Sequence, residues 1–247
     1  WNEVTMDTRI NWTFSPALLL FTDPPDGYAS VSMVDLAPSR ISREDLLLIM
    51  DIPLEARRDL LYAPLVPYDG MNEHGLVIAM AAVPPGNMLA DPSKKTTSSL
   101  GIMRQVLDHA RDADEAVNII KKYNIDFTGG PPIHYLIADV RGKAVLVEFY
   151  RGKMDILENE RPWHLATNFL RCAVKDPKDH CLRYDRLNER LSEKRGLLDS
   201  RAAMELLAEV AQSSTQWSVV YQMARGEVSV AMGKDYAAEA SKIHEFI

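Results

Sequence analysis

The chain has 247 residues, 47% of them hydrophobic and 26% charged, enough to bury a substantial core in one large domain or two small ones. A formal net charge of -7, with no cluster of Lys and Arg, argues against a nucleic-acid partner, which would need basic side chains to displace counterions. The longest apolar run, around Val77–Pro85, falls well short of the roughly 20 residues that span a bilayer, so no membrane partner is expected.

In chain order, Ala17–Thr22 and Tyr28–Val34 read as strands joined by the turn-forming Asp23-Pro24-Pro25-Asp26-Gly27. Glu44–Met50 reads as a short helix. Leu76–Val83 is an apolar run of strand length ended by Pro84-Pro85-Gly86. Ser98 or Ser99 can cap a helix whose Leu100, Met103, Leu107 and Ala110 share a face. Asp112 and Glu115 have capping-box spacing, and Ala116, Ile119, Ile120 and Tyr123 continue an apolar stripe. A meander follows, with strands expected at Ile133–Ala138, Ala144–Phe149, Met154–Leu157 and His164–Thr167. Helices are expected at His180–Leu191 and at Ser200–Val210, the second capped by Asp199. The last hairpin reads Trp217–Tyr221 and Glu227–Met232 around Arg225-Gly226. Strands cluster and helices come in pairs, which predicts a layered α+β fold of antiparallel sheets rather than alternating βαβ units. No repeat or linker divides the chain, and residues 1–247 read as a single domain.

The familiar motifs are missing: there is no Gly-rich phosphate loop, no HExxH and no GxSxG. Cys172 and Cys181 lack CxxC spacing and read as free thiols of a reducing compartment, which favours a cytoplasmic location. Asn11-Trp12-Thr13 fits a glycosylation triplet, a pattern common by chance. His164, Cys172, His180 and Cys181 match no zinc spacing, so neither metal nor cofactor is expected. Adjacent helical residues diverge by about 100°, so His180 and Cys181 do not form a base–thiol pair.

The informative segment is Asp69-Gly70-Met71-Asn72-Glu73-His74-Gly75-Leu76. Gly70 and Gly75 permit a positive φ or close backbone approach, and Asn72 can bond the turn's own backbone. Taken alone, the segment is a tight hairpin. The longer run DGMNEHGLVIAMAAVP, however, resembles the "D-G-M-N-E-K-G-L" segment of choloylglycine hydrolases, penicillin V acylases and related linear amide hydrolases, including the acyl-CoA:6-aminopenicillanic acid acyltransferase-like group. Pro132–Asp139 with Arg141-Gly142 and Val145–Glu148 is similar to that family's "ADxxG…VE" strand pair. His164–Phe169 resembles its "TN" segment, Cys181–Arg186 its "S/C-x-R" helix start, and Thr215–Tyr221 the C-terminal strand of the acyltransferase-like branch.

The resemblance implies a four-layer αββα sandwich of the N-terminal-nucleophile (Ntn) hydrolase type. An N-terminal Cys would attack a linear amide of a small N-acyl substrate, its own α-amine acting as base near neutral pH. Asn168 matches the oxyanion-hole Asn, Ala82 the position giving a backbone N–H, and Arg183 the active-site Arg. Without the family, Asn168 would be a turn residue and Arg183 a surface helix residue pairing with Asp179 or Glu189. The family also uses Cys, Arg and Asp from a hairpin ending "R-N-x-D-W". Trp1-Asn2 looks like the end of that motif, so the three have no counterpart in these 247 residues. The expectation is a nucleophile upstream of Trp1; the alternative is a truncated or inactive relative. Acyl transfer to an amine and small-molecule binding without catalysis stay open, as does a dimer or tetramer.

Overall fold

The computed structural model describes residues 17–36, 55, 57–86, 89–237 and 242–245. Strands β1 (Ala17–Thr22) and β2 (Ser30–Asp35) pair antiparallel across the Pro-rich turn, where the Gly27 N–H donates to the Pro24 carbonyl at 3.2 Å. They open a seven-stranded sheet of order β1-β2-β3-β4-β7-β8-β9, antiparallel throughout. Its other strands are β3 (Asp69–Asn72), β4 (Val77–Ala82), β7 (Ile133–Ala138), β8 (Ala144–Tyr150) and β9 (Lys153–Glu158). Alternation along these strands sends two sets of side chains to opposite faces.

One face carries Ile78, Ile133, Tyr135, Ile137, Val145, Val147 and Phe149 and is covered by helices α1 (Gly101–His109) and α2 (Ala113–Ile120). Both helices begin where side chains take up otherwise orphaned N–H groups. Ser98 Oγ accepts from the Gly101 N–H at 2.9 Å. Asp112 accepts from the Glu115 N–H at 2.9 Å, and the Glu115 carboxylate reaches back to the Arg111 N–H at 2.8 Å, one residue short of the expected box. The other face presents Val31, Met33 and Met71 to Trp217, Val228 and Val230 of a three-stranded sheet, β10 (Trp217–Gln222), β11 (Glu227–Met232) and β12 (Lys242–Glu245). Helix α4 (Ser200–Glu209), capped as expected by Asp199, packs on β10. With α1 and α2 on the outer face of the large sheet and α4 on the small one, the layers follow the helix–sheet–sheet–helix order that the sequence predicts. Asp69 crosses the sheet interface: its carboxylate accepts from Trp217 Nε1 at 3.2 Å and from the Tyr221 hydroxyl.

Three expectations need correction or cannot be followed. His164–Thr167 is irregular rather than a strand; His164 Nε2 instead meets the Leu157 carbonyl at 3.0 Å, beside β9. Tyr123 does not extend the helical stripe but opens β6 (Tyr123–Asp126), which pairs in parallel with β5 (Lys95–Ser98); the polar Lys-Thr-Thr-Ser run gave no strand signal. Glu44–Met50 lies outside the described residues. A 3-10 segment at Arg58–Leu65 also lacked a sequence signal.

The hairpin between β3 and β4 is held by Asn72, 1% exposed. Its Oδ1 accepts from the His74 and Leu76 N–H groups, each at 3.1 Å, as a turn-former should. Its Nδ2 donates to the Leu107 and Ala110 carbonyls at 3.0 and 2.7 Å, satisfying the end of α1. Asn72→Ala would strand buried donors and acceptors on both sides, at about 1–3 kcal/mol for each group left unpaired. A loss of about 3 kcal/mol is expected, read as a lower urea midpoint at unchanged m-value.

Candidate active site

The Asn72 turn sets the direction of β4. Gly75 adopts φ +70°, and a Cβ there would lie 2.6 Å from the Met223 carbonyl oxygen, so both its conformation and its space require glycine. From this turn β4 runs to Ala82, 3% exposed, and the Pro84-Pro85 pair ends it. The Val83 N–H donates to the Pro132 carbonyl beside β7 at 2.9 Å. Backbone groups alternate along a strand, so the N–H and C=O of Ala82 turn to the opposite edge of β4. There β3 pairs with β4 only as far as Asp69 opposite Ala79, leaving the Ala82 edge beyond its ladder.

Asn168 fills that position. Its Nδ2 donates to the Ala82 carbonyl at 2.8 Å, and its Oδ1 accepts from Arg183 Nη2 at 2.7 Å. Arg183 lies in the first turn of α3 (Leu182–Glu193), with Cys181 at the N-cap. All three residues carried over from the family resemblance therefore meet. One detail differs from expectation: the Asn168 amide contacts the carbonyl of Ala82 rather than standing beside its N–H alone. Arg183 bonds Asn168 directly, where the reading without the family had it resting at the surface against Asp179 or Glu189. The guanidinium can only donate, so it fixes Oδ1 toward itself and Nδ2 toward β4.

Sequence reasoning missed a second polar centre behind Asn168. Glu148 on β8 and His134 on β7 are each 0% exposed, and His134 Nδ1 lies 2.8 Å from Glu148 Oε1. The same carboxylate accepts the Arg171 N–H at 2.9 Å and the Cys172 N–H at 2.7 Å, gripping the 3-10 turn Arg171–Ala173 just after Asn168. Burial alone would raise the Glu148 pKa, but bonds from His134, Cys172 and Arg171 outweigh it and hold the group below its usual value. The signal was available: an alternating strand that buries a Glu on the same face as Leu146, with a His directly across the ladder.

Of the apolar residues expected near an acyl pocket, Trp163 lines a groove of about 1320 Å³ between β9, the 159–165 segment and α3. Phe169 stacks on His180 with ring centroids 5.5 Å apart and meets Tyr184 edge-on, whereas Met80 packs on the helix-covered core. Neither Ala82 nor Asn168 lines that groove. Among the described residues, no cluster of three or more His, Cys, Asp or Glu side chains is arranged to hold a metal.

The two thiols differ sharply. Burial and the Glu148 carboxylate push Cys172 up to about 12. Burial also acts on Cys181, but Thr167, the Arg183 and Tyr184 N–H groups at the start of α3, and the Arg183 charge bring it below its usual value. Iodoacetamide at pH 7.5 should alkylate Cys181 faster than Cys172 by at least about tenfold, as read by peptide mass spectrometry. A depressed carboxylate pKa adds stability above the ordinary value of about 4.3, and that stability is lost as pH falls through the lower folded value. The urea midpoint should accordingly drop below about pH 4, and Glu148→Gln should flatten that part of the profile.

Residues 59–169 match the family model of linear amide C-N hydrolases, choloylglycine hydrolase family. That stretch contains Ala82 and Asn168, while Arg183 lies beyond it. An uncharacterised protein of Paramecium bursaria Chlorella virus 1 is 30% identical over 109 residues, 40% of this chain and 38% of the viral protein. Among solved structures, a variant of the conjugated bile acid hydrolase from Clostridium perfringens superposes with a TM-score of 0.60 at 15% identity, covering 88% of this chain and 77% of that one. Penicillin V acylase from Agrobacterium tumefaciens gives 0.57 at 15%, over 87% and 68% of the two chains. The Caenorhabditis elegans ortholog of N-acylethanolamine-hydrolyzing acid amidase gives 0.52 at 13%, over 94% and 88%. The chain thus has the fold of the Ntn hydrolases and resembles, within it, the choloylglycine hydrolase family of linear amide C-N hydrolases.

Proposed function

We propose that the protein hydrolyses a linear, non-peptide amide bond in a small N-acylated molecule, through an acyl-enzyme on an N-terminal cysteine upstream of Trp1. The observation that carries this reading is the alignment of Arg183, Asn168 and Ala82 along one edge of β4. An amide NH2 has two hydrogens; the Ala82 carbonyl engages one, and the other is free by geometry to meet a substrate oxygen. The Ala82 N–H points to the same edge. Together they form a pair of donors fixed in advance for a developing oxyanion, a device worth on the order of 2.7–4 kcal/mol per donor.

In the proposed reaction the cysteine sulfur attacks the amide carbonyl while its proton passes to the α-amine. Negative charge collects on the carbonyl oxygen before the donor pair. Collapse expels the amine, which takes the proton, and water then releases the acid from the thioester. Cys172 and Cys181 are internal and have no α-amine to act as base. The names of the structural neighbours, a conjugated bile acid hydrolase, a penicillin acylase and an N-acylethanolamine-hydrolyzing amidase, support a small N-acyl substrate. The net charge of -7 favours such a partner over nucleic acid, and assembly into a dimer or tetramer is part of the proposal. Among the described residues no helix is long and apolar enough to cross a membrane.

The test is turnover of a panel of N-acyl amides by the full-length protein, with its mature N-terminus determined by mass. Asn168→Ala should lower kcat by about 10²–10³ with the fold intact. Product analysis with an added amine separates hydrolysis from acyl transfer. A mature chain starting at Trp1 that binds these amides without cleaving them would sink the enzyme reading and leave a binding protein.

A further inference from the structure

The described residues that meet at Asn168 hold its side chain, but the backbone that carries it has no sheet or helix of its own. Residues 159–170 run without regular structure from the end of β9 to the 3-10 turn. Such a segment has few internal hydrogen bonds and is expected to open locally at low free-energy cost unless something fixes its ends. At the β9 end the Asn159 N–H donates to the Ala144 carbonyl at 2.9 Å, and midway His164 Nε2 meets the Leu157 carbonyl at 3.0 Å. At the other stands Glu148, whose two carboxylate oxygens accept the successive N–H groups of Arg171 and Cys172.

We infer that Glu148, oriented by His134, is the positioning residue of this site, fixing the turn after Asn168 to the β7–β8 strand pair, whose β7 is hydrogen-bonded to the strand that carries Ala82. The inference rests on the proposed role of Asn168 as an oxyanion donor. The geometry is direct. His134 faces Glu148 across the β7–β8 ladder and faces Ala81 across the β4–β7 ladder, so the carboxylate, the imidazole and the residue next to Ala82 form one row on one sheet. Only Phe169 and Leu170 separate Asn168 from Arg171, and Leu170 is buried, at 6% exposed. The two halves of the donor pair are therefore referenced to a single row of side chains, although they are 86 residues apart in sequence.

A fully buried carboxylate is an expensive way to hold a turn, because desolvation must be offset by several hydrogen bonds. Glu148 meets His134, the Cys172 thiol and two backbone N–H groups, and a carboxylate can accept two adjacent backbone N–H groups with one oxygen each. A neutral amide cannot: one of its two terminal atoms is a donor and would confront a donor. Glu148→Gln therefore keeps the volume and breaks half of the grip. Asp155, opposite Glu148 on β9, the Cys172 thiol, His164 and the Arg171 guanidinium are the other titratable and charged groups around the carboxylate.

The test is made on full-length protein and has two independent arms. In the first, hydrogen exchange is followed by mass spectrometry. Glu148→Gln should accelerate exchange of the 165–173 peptide by about tenfold or more, with the β7–β8 turn around Gly142 unchanged. In the second, turnover of an N-acyl amide should show kcat reduced by about tenfold or more and KM within about twofold, because a displaced oxyanion donor weakens the transition state and not the ground state. Glu148→Asp, which stays charged but withdraws the carboxylate by one methylene, should shift both readouts in the same direction. Exchange of 165–173 unchanged in a folded variant overturns the inference, as does unfolding of both variants, since a positioning residue leaves the fold standing. Faster exchange in a protein that cleaves no amide would instead leave the clamp in place and overturn the proposed function.

Discussion

A primary amide placed between a carbonyl and a guanidinium has only one orientation. The Ala82 carbonyl can only accept and the Arg183 guanidinium can only donate, so the Asn168 side chain is locked with its nitrogen toward β4. Three elements converge on this contact. β4 must run straight from the Asn72 turn, α3 must start where Arg183 reaches back 15 residues, and the 159–170 segment must deliver Asn168 between them. Preorganisation of this kind is what makes a hydrogen-bond donor effective against a charge that exists only fleetingly, because no reorientation is needed as it forms.

The supporting interactions fall into two types. Apolar contacts fix the layers: the helix-covered face of the large sheet and the inter-sheet face with Trp217 and Val228 are conventional cores. Buried polar side chains fix positions within the layers. Asn72 links a hairpin to the end of a helix, and Asp69 links the two sheets. Asp139 takes the Ala113 N–H at the start of α2, and Glu148 grips a turn. Each bridges elements distant in sequence, and each is costly unless fully satisfied, which makes the register it enforces specific.

Most of the layered fold was legible because apolar alternation and helical stripes are local signals. β1, β7 and β11 stand at the expected bounds, and the Asp199 cap fell where a capping residue preceded an apolar stripe. What failed was what depends on distant partners. His164–Thr167 has the composition of a strand, but there the chain turns along β9 and toward Asn168 instead of pairing. β5 and β6 are too polar and short to announce themselves, and they exist because the chain returns to the same place after two helices. At the site, resemblance pointed to Ala82, Asn168 and Arg183, which the structure brings into contact, yet composition alone read Asn168 and Arg183 as ordinary turn and surface residues. The Glu148–His134 pair was visible in principle as two ionisable residues on inward-facing strand positions, and only the ladder shows that they are neighbours.

The Asp69 carboxylate, shared between Trp217 and Tyr221, has a consequence for how such a scaffold diversifies. Pinned at that point, the two sheets cannot slide against each other without breaking a polar bridge inside an apolar interface. If the proposed function holds, room for different acyl groups must then be made elsewhere. The 159–170 segment, anchored at Asn159 and by the turn that Glu148 grips and without regular structure between, can change its side chains or its path while both sheets keep their register. The sheets and the connecting segment are complementary: under the proposed function, one would hold the place where charge develops while the other could change the shape offered to a substrate.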